Sequence, residues 1–428
     1  MNSSIPSLRI VRDAGEPLGL FFRVGKSDHT VLKQLLSENR VGMLGAVFDP
    51  CHSGCQEELR SEFSQRQLDA ILDPALMELA TLGGFTPSRQ QLAWASGEPQ
   101  TPEHFDSQFS IAVVARIADF VAANGFNAVL APTHYLGEGM KDSWLQVDRQ
   151  LVVRLRDRLD GNGCEDVAIY YPLALPTKMF TESAQRVAIK AALSGLPIDA
   201  LWLRTHPFGS ESGDTALRRY IQSCQDMHGL GVPLVSEKTG GLGLALLAFG
   251  AVSGVESGVC TGEKFDFGRI KRPRDPSGKF GMTPRVYLPD LGGFLSRKEA
   301  QQFFQQRGRR QFACRDSQCC QRGVHSMTGA GSRRHFAFQR MDEVARLSRV
   351  TPSLRPHEYI DRILQPATDN IGRALVHQDL PETLKRKLEK SRRKQDGWRA
   401  TLGELRRAPI ATFSAPIERR IHRARATA

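Results

Sequence analysis

Three cysteines and a histidine crowd the stretch Cys314-Arg-Asp-Ser-Gln-Cys319-Cys320-Gln-Arg-Gly-Val-His325, and His335 follows. The pattern is C-x4-C-C-x4-H. Thiolate and imidazole are the ligands zinc prefers, four at a time in a tetrahedron. Cys314, Cys319, Cys320 and His335 fall within 22 residues and can close such a site around a loop, with His325 as the substitute if one cysteine faces away. Protein would then fill every position, so the zinc would be structural, not catalytic. The segment is otherwise polar, which argues against a core role for three cysteines; the competing reading is free thiols, or a disulfide from Cys314 to a neighbour. Cys51 and Cys55 flank His52 at C-x3-C spacing without a second pair nearby, a weak metal motif.

A second set of reactive residues follows short apolar runs. Asp49 and His52 come after 41–48, His134 and Tyr135 after 128–131, and Tyr171 after 167–170. Arg204 and His206 come after 200–203, Glu237 and Lys238 after 233–235, then Glu256, Glu263 and Asp266. Each alone reads equally well as a cap or a surface ion pair, Glu263 and Asp266 above all, and Asp49-Pro50 is a common turn opening. Together they ask for a scaffold that gathers strand ends.

The elements between them supply one. Amphipathic helices are expected at 106–123, 143–160, 182–194 and 215–228, alternating with strands that start near 127, 167, 199, 232 and 253. Steps of that size are βα units, which implies a parallel sheet with helices outside. No G-x-G-x-x-G opens a helix after a strand, and Gly240-Gly241-Leu-Gly243 has the wrong spacing. The expected fold is therefore α/β, a (β/α)8 TIM-type barrel, whose chemistry sits at the C-terminal strand ends. The division expected is a barrel over 1–290, a zinc-binding subdomain over 291–350 and a helical basic tail over 351–428.

Length and composition agree with a globular chain of more than one unit: 428 residues, 40% hydrophobic and 24% charged. Basic residues number 58 against 46 acidic, a net +12, and residues 383–428 alone carry +10. Lys385-Arg-Lys387, Arg392-Arg-Lys394 and Arg406-Arg407 lie on an expected helix with Trp398 between them. Such a tail can neutralise phosphates, and Trp398 can stack on a base, so nucleic acid is the expected partner. Beyond Ala408 the sequence has little apolar periodicity and is expected to be mobile. The longest nearly apolar run, Leu242–Val255, has 14 residues and is too short to span a bilayer. No secretory signal is visible, so no membrane partner and a cytoplasmic location are expected.

The late cysteines, followed by a histidine at a helix start, resemble the tRNA-guanine transglycosylase superfamily, as does Gly240-Gly241-Leu242 after a strand. The resemblance spans about 40–350 and implies a (β/α)8 barrel with a late structural zinc. It also implies exchange of a base in nucleic acid, with Gly240 and Gly241 near the exchanged base. The chain departs from the family's C-x-C-x2-C spacing and lacks its Asp-Ser-Gly-Gly-Phe-Gln and Phe-Asp-Cys-Val segments; Gly254-Val-Glu256-Ser-Gly-Val259 stands in the place of the latter. That pattern resembles a distant paralogue, like the proteins that insert 7-deazaguanines into DNA.

Breaking an N-glycosidic bond needs a carboxylate near the anomeric carbon and an acid–base group near the leaving base. Asp49 and Glu256 are the expected catalytic pair, with either role open. His134 or Tyr135 would stack on or hydrogen-bond a small modified base, and Arg204 would hold a phosphate or a carbonyl oxygen. The competing readings are a barrel hydrolase or lyase acting on a small molecule, and a catalytically inactive nucleic-acid-binding paralogue. RNA versus DNA, and monomer versus homodimer, stay open.

Overall fold

Apolar runs of three to nine residues, each followed by a helix that cannot bury its own apolar stripe, have one economical solution: strands side by side, helices outside. A computed structural model describes residues 18–273, 285–376, 380–408 and 412–417. Its eight parallel strands are β1 (Gly19–Val24), β2 (Gly45–Phe48), β3 (Asp69–Leu72), β4 (Ala128–Leu130), β5 (Ala168–Pro176), β6 (Ala200–His206), β7 (Leu234–Glu237) and β8 (Gly254–Gly258). They pair in chain order, and β8 returns to β1 with Phe21 opposite Glu256, closing the barrel. The expected fold class holds.

Helices His29–Ser37, Glu57–Gln65, Ser107–Ala123, Trp144–Gly161, Ser183–Leu193, Asp214–Met227 and Leu242–Ala248 fill the connections. Their starts and stops are local chemistry. Asp106 caps Ser107–Ala123 by accepting from the Phe109 amide at 2.7 Å, and Asn124 ends that helix. The eighth place around the barrel is taken late, by Ser332–Ser348, which packs on β1 and on His29–Ser37. Between β8 and that helix lies an antiparallel hairpin, β9 (Arg285–Leu288) and β10 (Gly293–Ser296), and the cysteine-rich loop. The boundary expected at residue 290 thus falls inside the hairpin.

Two strands of the barrel, β1 and β3, and the hairpin strand β10 escaped the sequence reading. No helix-length pattern precedes β1 to set a βα step, and β3 opens on a charge, Asp69. The strand expected from Val41 begins at Gly45, because Val41 is exposed.

The barrel interior follows the two-residue period of a strand. Phe21, Val47, Ile71, Leu130, Tyr170, Trp202 and Val235 point inward and form one apolar cluster. Their neighbours Leu20, Phe22, Leu72, Val129, Ile169, Leu201 and Leu234 point outward under the helices. Burial of side chains this size contributes about 1.5–3 kcal/mol each.

The tail belongs to this body. Helix Glu382–Arg407 packs on Asp214–Met227 and Gln365–Leu375, burying Leu384, Leu388, Trp398 and Leu402. The expected mobility beyond Ala408 does not extend to 412–417. The Ser414 hydroxyl accepts from the Leu234 amide at 2.9 Å, and the Ser414 amide donates to the Gly250 carbonyl at 2.9 Å. Ile417 closes the lower end of the barrel: a Cβ at Gly19 or Gly254 would lie 2.6 or 2.7 Å from its Cδ1. Glycine is needed at both positions to let that side chain in.

Candidate functional site

One strand period above the apolar interior, the same inward face changes character. Phe21 is succeeded by Arg23, Ile71 by Asp73, Trp202 by Arg204, Val235 by Glu237 and Gly254 by Glu256. Five strands deliver five charges to the C-terminal mouth of the barrel, where barrel enzymes keep their chemistry.

These groups form one network. Arg23 grips Glu256 through Nε and Nη2 at 2.7 and 3.1 Å, and reaches Asp73 with Nη1 at 2.7 Å. Arg204 donates to Asp73 at 2.5 Å and also to Glu237. Lys238 lies 3.2 Å from the other Glu237 oxygen, and Trp202 Nε1 donates to Glu256 at 2.9 Å. Three cations thus balance three carboxylates, and only the Arg23 and Lys238 side chains keep a notable exposure, 20% and 19%.

Burial would raise both Asp73 and Glu237. The Arg204 and Arg23 guanidiniums outweigh it and hold Asp73 well below the usual range, while Arg204 and Lys238 lower Glu237 to about 2. Burial pulls Arg23 and Arg204 down, yet the carboxylates beside them leave both above their ordinary value. Asp73 and Glu237 are therefore ionised at neutral pH. The layer offers fixed charge, suited to stabilising charge that develops on a bound group, and neither of these carboxyls carries a proton to donate.

The residues expected from sequence divide. Arg204 and Glu256 enter the network. Asp49 stands at the end of β2 but turns to accept from the Cys51 amide and from Arg89 at 3.1 Å, outside hydrogen-bond contact with Glu256. Its place among the linked carboxylates is held by Asp73. His134 is 1% exposed, stacked on Trp144 at 3.6 Å and paired with Asp148 at 2.7 Å. A ring so enclosed presents no face to a base, so that role is corrected. Tyr135 is half-buried and stacks on Phe267 at 3.5 Å, beside Ala174 and Phe265, and burial pushes its hydroxyl up to about 12. Arg204 spends its donors on Asp73 and Glu237 and is 3% exposed, which corrects the expectation that it holds a phosphate. Asp266 caps a short helix by accepting from the Arg269 amide, whereas Glu263 is buried against Ser257 and Arg340, not a surface pair.

Gly240 has φ +59°, and a Cβ there would meet the Ser210 hydroxyl at 2.1 Å, while the Gly241 amide donates to that hydroxyl at 3.0 Å. The pair fixes a tight turn between Glu237 and the helix from Leu242.

Arg23 and Asp73 were missed. The signal was a charge placed two residues after an inward phenylalanine in Gly-Leu-Phe-Phe-Arg23-Val, and Asp73-Pro74 repeating Asp49-Pro50. Reading either requires knowing that 19–24 and 69–72 are strands.

The cysteine cluster assembles as expected. Ligand atoms of Cys314, Cys319, Cys320 and His335 all lie within 4.8 Å of one another. His335 Nδ1 is 3.3 Å from both the Cys319 and Cys320 sulfurs. Its Nε2 lies 2.9 Å from the Tyr287 carbonyl, which can only accept; that bond fixes the proton on Nε2 and leaves the Nδ1 lone pair facing the sulfurs. Gln339 donates to the Cys314 and Cys319 sulfurs at 3.6 and 3.5 Å. This donor set fits a metal ion such as zinc. His325 is not in the cluster, so no substitution is needed.

No family model matches the chain, and no curated protein does. Among solved structures, a GH18 chitinase from Pseudoalteromonas aurantia is similar at TM-score 0.38 and 11% identity, over 56% of this chain and 93% of that one. A likeness of that size carries no argument about activity.

The tail helix changes one expectation. Trp398 is 5% exposed and donates to the Ser212 carbonyl at 3.0 Å, so its ring is not free to stack on a base. Several tail cations are paired: Lys387 with Glu299, Lys390 and Lys394 with Glu211, and Arg406 with Asp361. Lys385, Arg392, Arg393 and Arg407 are exposed and enter no ion pair among the described residues. No helix among the described residues is long and apolar enough to cross a membrane.

Proposed function

We propose that the chain is a nucleic-acid base-exchange transglycosylase that places a modified, 7-deazaguanine-type base in tRNA or DNA, with zinc as a structural brace. The observation that carries this reading is the convergence of Cys314, Cys319, Cys320 and His335 between the eighth strand and its helix. That is the place and ligand order the resemblance implies. The Gly240-Gly241 turn beside Glu237 supports it, as does a mouth lined by ionised carboxylates.

In this reading Glu256 and Asp73 face the sugar, where a fixed anion lowers the energy of a developing cation at the anomeric carbon. Arg23 orients both carboxylates, since it contacts each. The Tyr135 and Phe267 rings wall the base side. Lys385, Arg392, Arg393 and Arg407 meet the phosphates. Cys314, Cys319, Cys320 and His335 would hold a zinc ion as a structural brace, and the His335 Nε2 bond to the Tyr287 carbonyl would tie that brace to the hairpin.

The test is incorporation of labelled guanine and 7-deazaguanine bases into tRNA and into DNA by protein carrying one zinc per chain. Exchange into one of them, lost at least 100-fold in Asp73→Asn and Glu256→Gln, is the expected result. Lys385→Ala with Arg393→Ala should weaken binding and flatten its salt dependence by about two phosphate contacts. Zinc should vanish in Cys320→Ser and His335→Ala. Metal-loaded protein that exchanges no base in either nucleic acid removes the reading. What then stands is the barrel hydrolase or lyase on a small molecule, or an inactive binding paralogue, which the same two mouth variants separate.

A further inference from the structure

A cavity of about 600 Å³ lies beside the charged mouth, between the tail helix Glu382–Arg407, the β9–β10 hairpin and the Ser210–Glu211 loop. None of Arg23, Asp73, Arg204, Glu237 and Glu256 lines it. Its size is that of a small-molecule site.

The walls are of two kinds. Leu288, Leu291, Leu295 and Phe294 of the hairpin face Leu388 and Trp398 of the helix. Lys387, Lys390 and Lys394 recur at three- and four-residue spacing, which puts them on one helix face, and Arg285 stands on the hairpin. Arg340 is matched to Glu343 at 3.2 Å, and Lys387 to Glu299 at 2.7 Å. That leaves Arg285, Lys390 and Lys394 facing one lining carboxylate, Glu211, which both lysines share at 3.4 and 3.2 Å.

The site is held open by rigid neighbours. The Tyr287 carbonyl is bonded to His335, the Tyr287 hydroxyl donates to Glu343 at 2.5 Å, and Gln395 donates to the Leu291 carbonyl at 3.0 Å. The Arg285 guanidinium carbon sits 3.9 Å from the centroid of the Phe294 ring, so its charge is already placed.

We propose that this cavity binds an organic phosphate with an apolar or aromatic body, at a site that shares Gly241 with the Gly240-Gly241 turn but none of the five charged residues of the mouth. The aliphatic and aromatic walls take the body. Excess cation from two opposite walls takes a dianion, which displaces Glu211 from one of its two lysines. Lysine ammoniums are point charges that serve phosphate well, and a carboxylate head would satisfy fewer of them. The proposal goes beyond the base-exchange reading and does not depend on it.

The experiment is calorimetric titration of the full, metal-loaded chain with 1-naphthyl phosphate, followed in parallel by Trp398 fluorescence. Saturable binding with quenching that disappears in Trp398→Phe is expected. Lys390→Ala with Lys394→Ala, both on the helix surface, should weaken binding at least tenfold with the circular dichroism unchanged. Leu291→Trp, which fills the cavity, should abolish it. Equal binding of 1-naphthol would overturn the role of the cations, and equal binding of inorganic phosphate would overturn the role of the apolar wall. Absence of binding to folded protein, or binding indifferent to the lysine pair, overturns the site itself.

Discussion

The lower and upper halves of the barrel interior are built by the same strands, one side-chain period apart, and they answer to different demands. Below, Phe21, Ile71, Trp202 and Val235 pack with Ile417 into a layer without a charge. Above, Arg23, Asp73, Arg204, Glu237 and Glu256 are locked in a buried ionic lattice. Apolar filling stabilises a barrel outright. Buried ion pairs lose most of their attraction to desolvation, and apolar residues of similar volume often do as well or better. A chain selected only to stay folded would have no reason to change layers at one period. The upper layer is therefore better explained by what it does to a ligand.

The sharpest way to break that contrast is to remove one charge and then the rest. Arg204→Leu takes one partner from each of Asp73 and Glu237, leaving three buried carboxylates to Arg23 and Lys238, and should cost about 3–5 kcal/mol in urea unfolding. Adding Asp73→Leu and Glu237→Leu removes both carboxylates, keeps the Arg23–Glu256 pair and leaves Lys238 at a partly exposed edge, and should restore most of the loss while leaving the protein inactive. A triple variant as unstable as the single one would mean that the charged layer is structural after all.

Acid probes the same layer with a smaller effect. Asp73 and Glu237 have folded-state values below their ordinary ones, so their contribution is present above pH ~4.5 and is lost as pH falls toward 2. Urea midpoints should be level between pH 5 and 7 and drop below pH ~4. Glu237→Gln should soften that drop; an unchanged acid limb in this variant would count against its ion pairs.

The lower layer should respond least. Ile417 is half-buried, so Ile417→Ala should cost about 1–2 kcal/mol, with no change in zinc content or ligand binding at the mouth. A change in the mouth's activity would show that the two layers are coupled and blunt the comparison.

What could be read beforehand follows from pattern length. The helices 107–123 and 144–161 announce themselves through several turns of periodicity, and the strands after them through continuous apolar runs. Asp69–Leu72 opens on a charge and follows a helix, Glu57–Gln65, with only two large apolar residues, so no βα step announced it, and with it went Asp73. Arg204 and Glu256 were found because each comes right after recognisable apolar residues of its strand. The cysteine cluster was legible because a metal site needs only ligand types within reach, whatever the fold around them. Burial was not legible: nothing local distinguishes Trp398 or His134, both enclosed by distant segments, from rings open to a base.

The floor of the barrel also sets an order of events during synthesis. β8 is complete at Gly258, but Ser414, which seals that floor, lies 161 positions beyond Ser253 in the chain. At roughly 5–20 residues per second, a ribosome leaves the finished strands without their plug for about 8–30 s. During that interval the lower apolar layer is open from below, a window in which a chaperone has a surface to hold and a protease a chain to test.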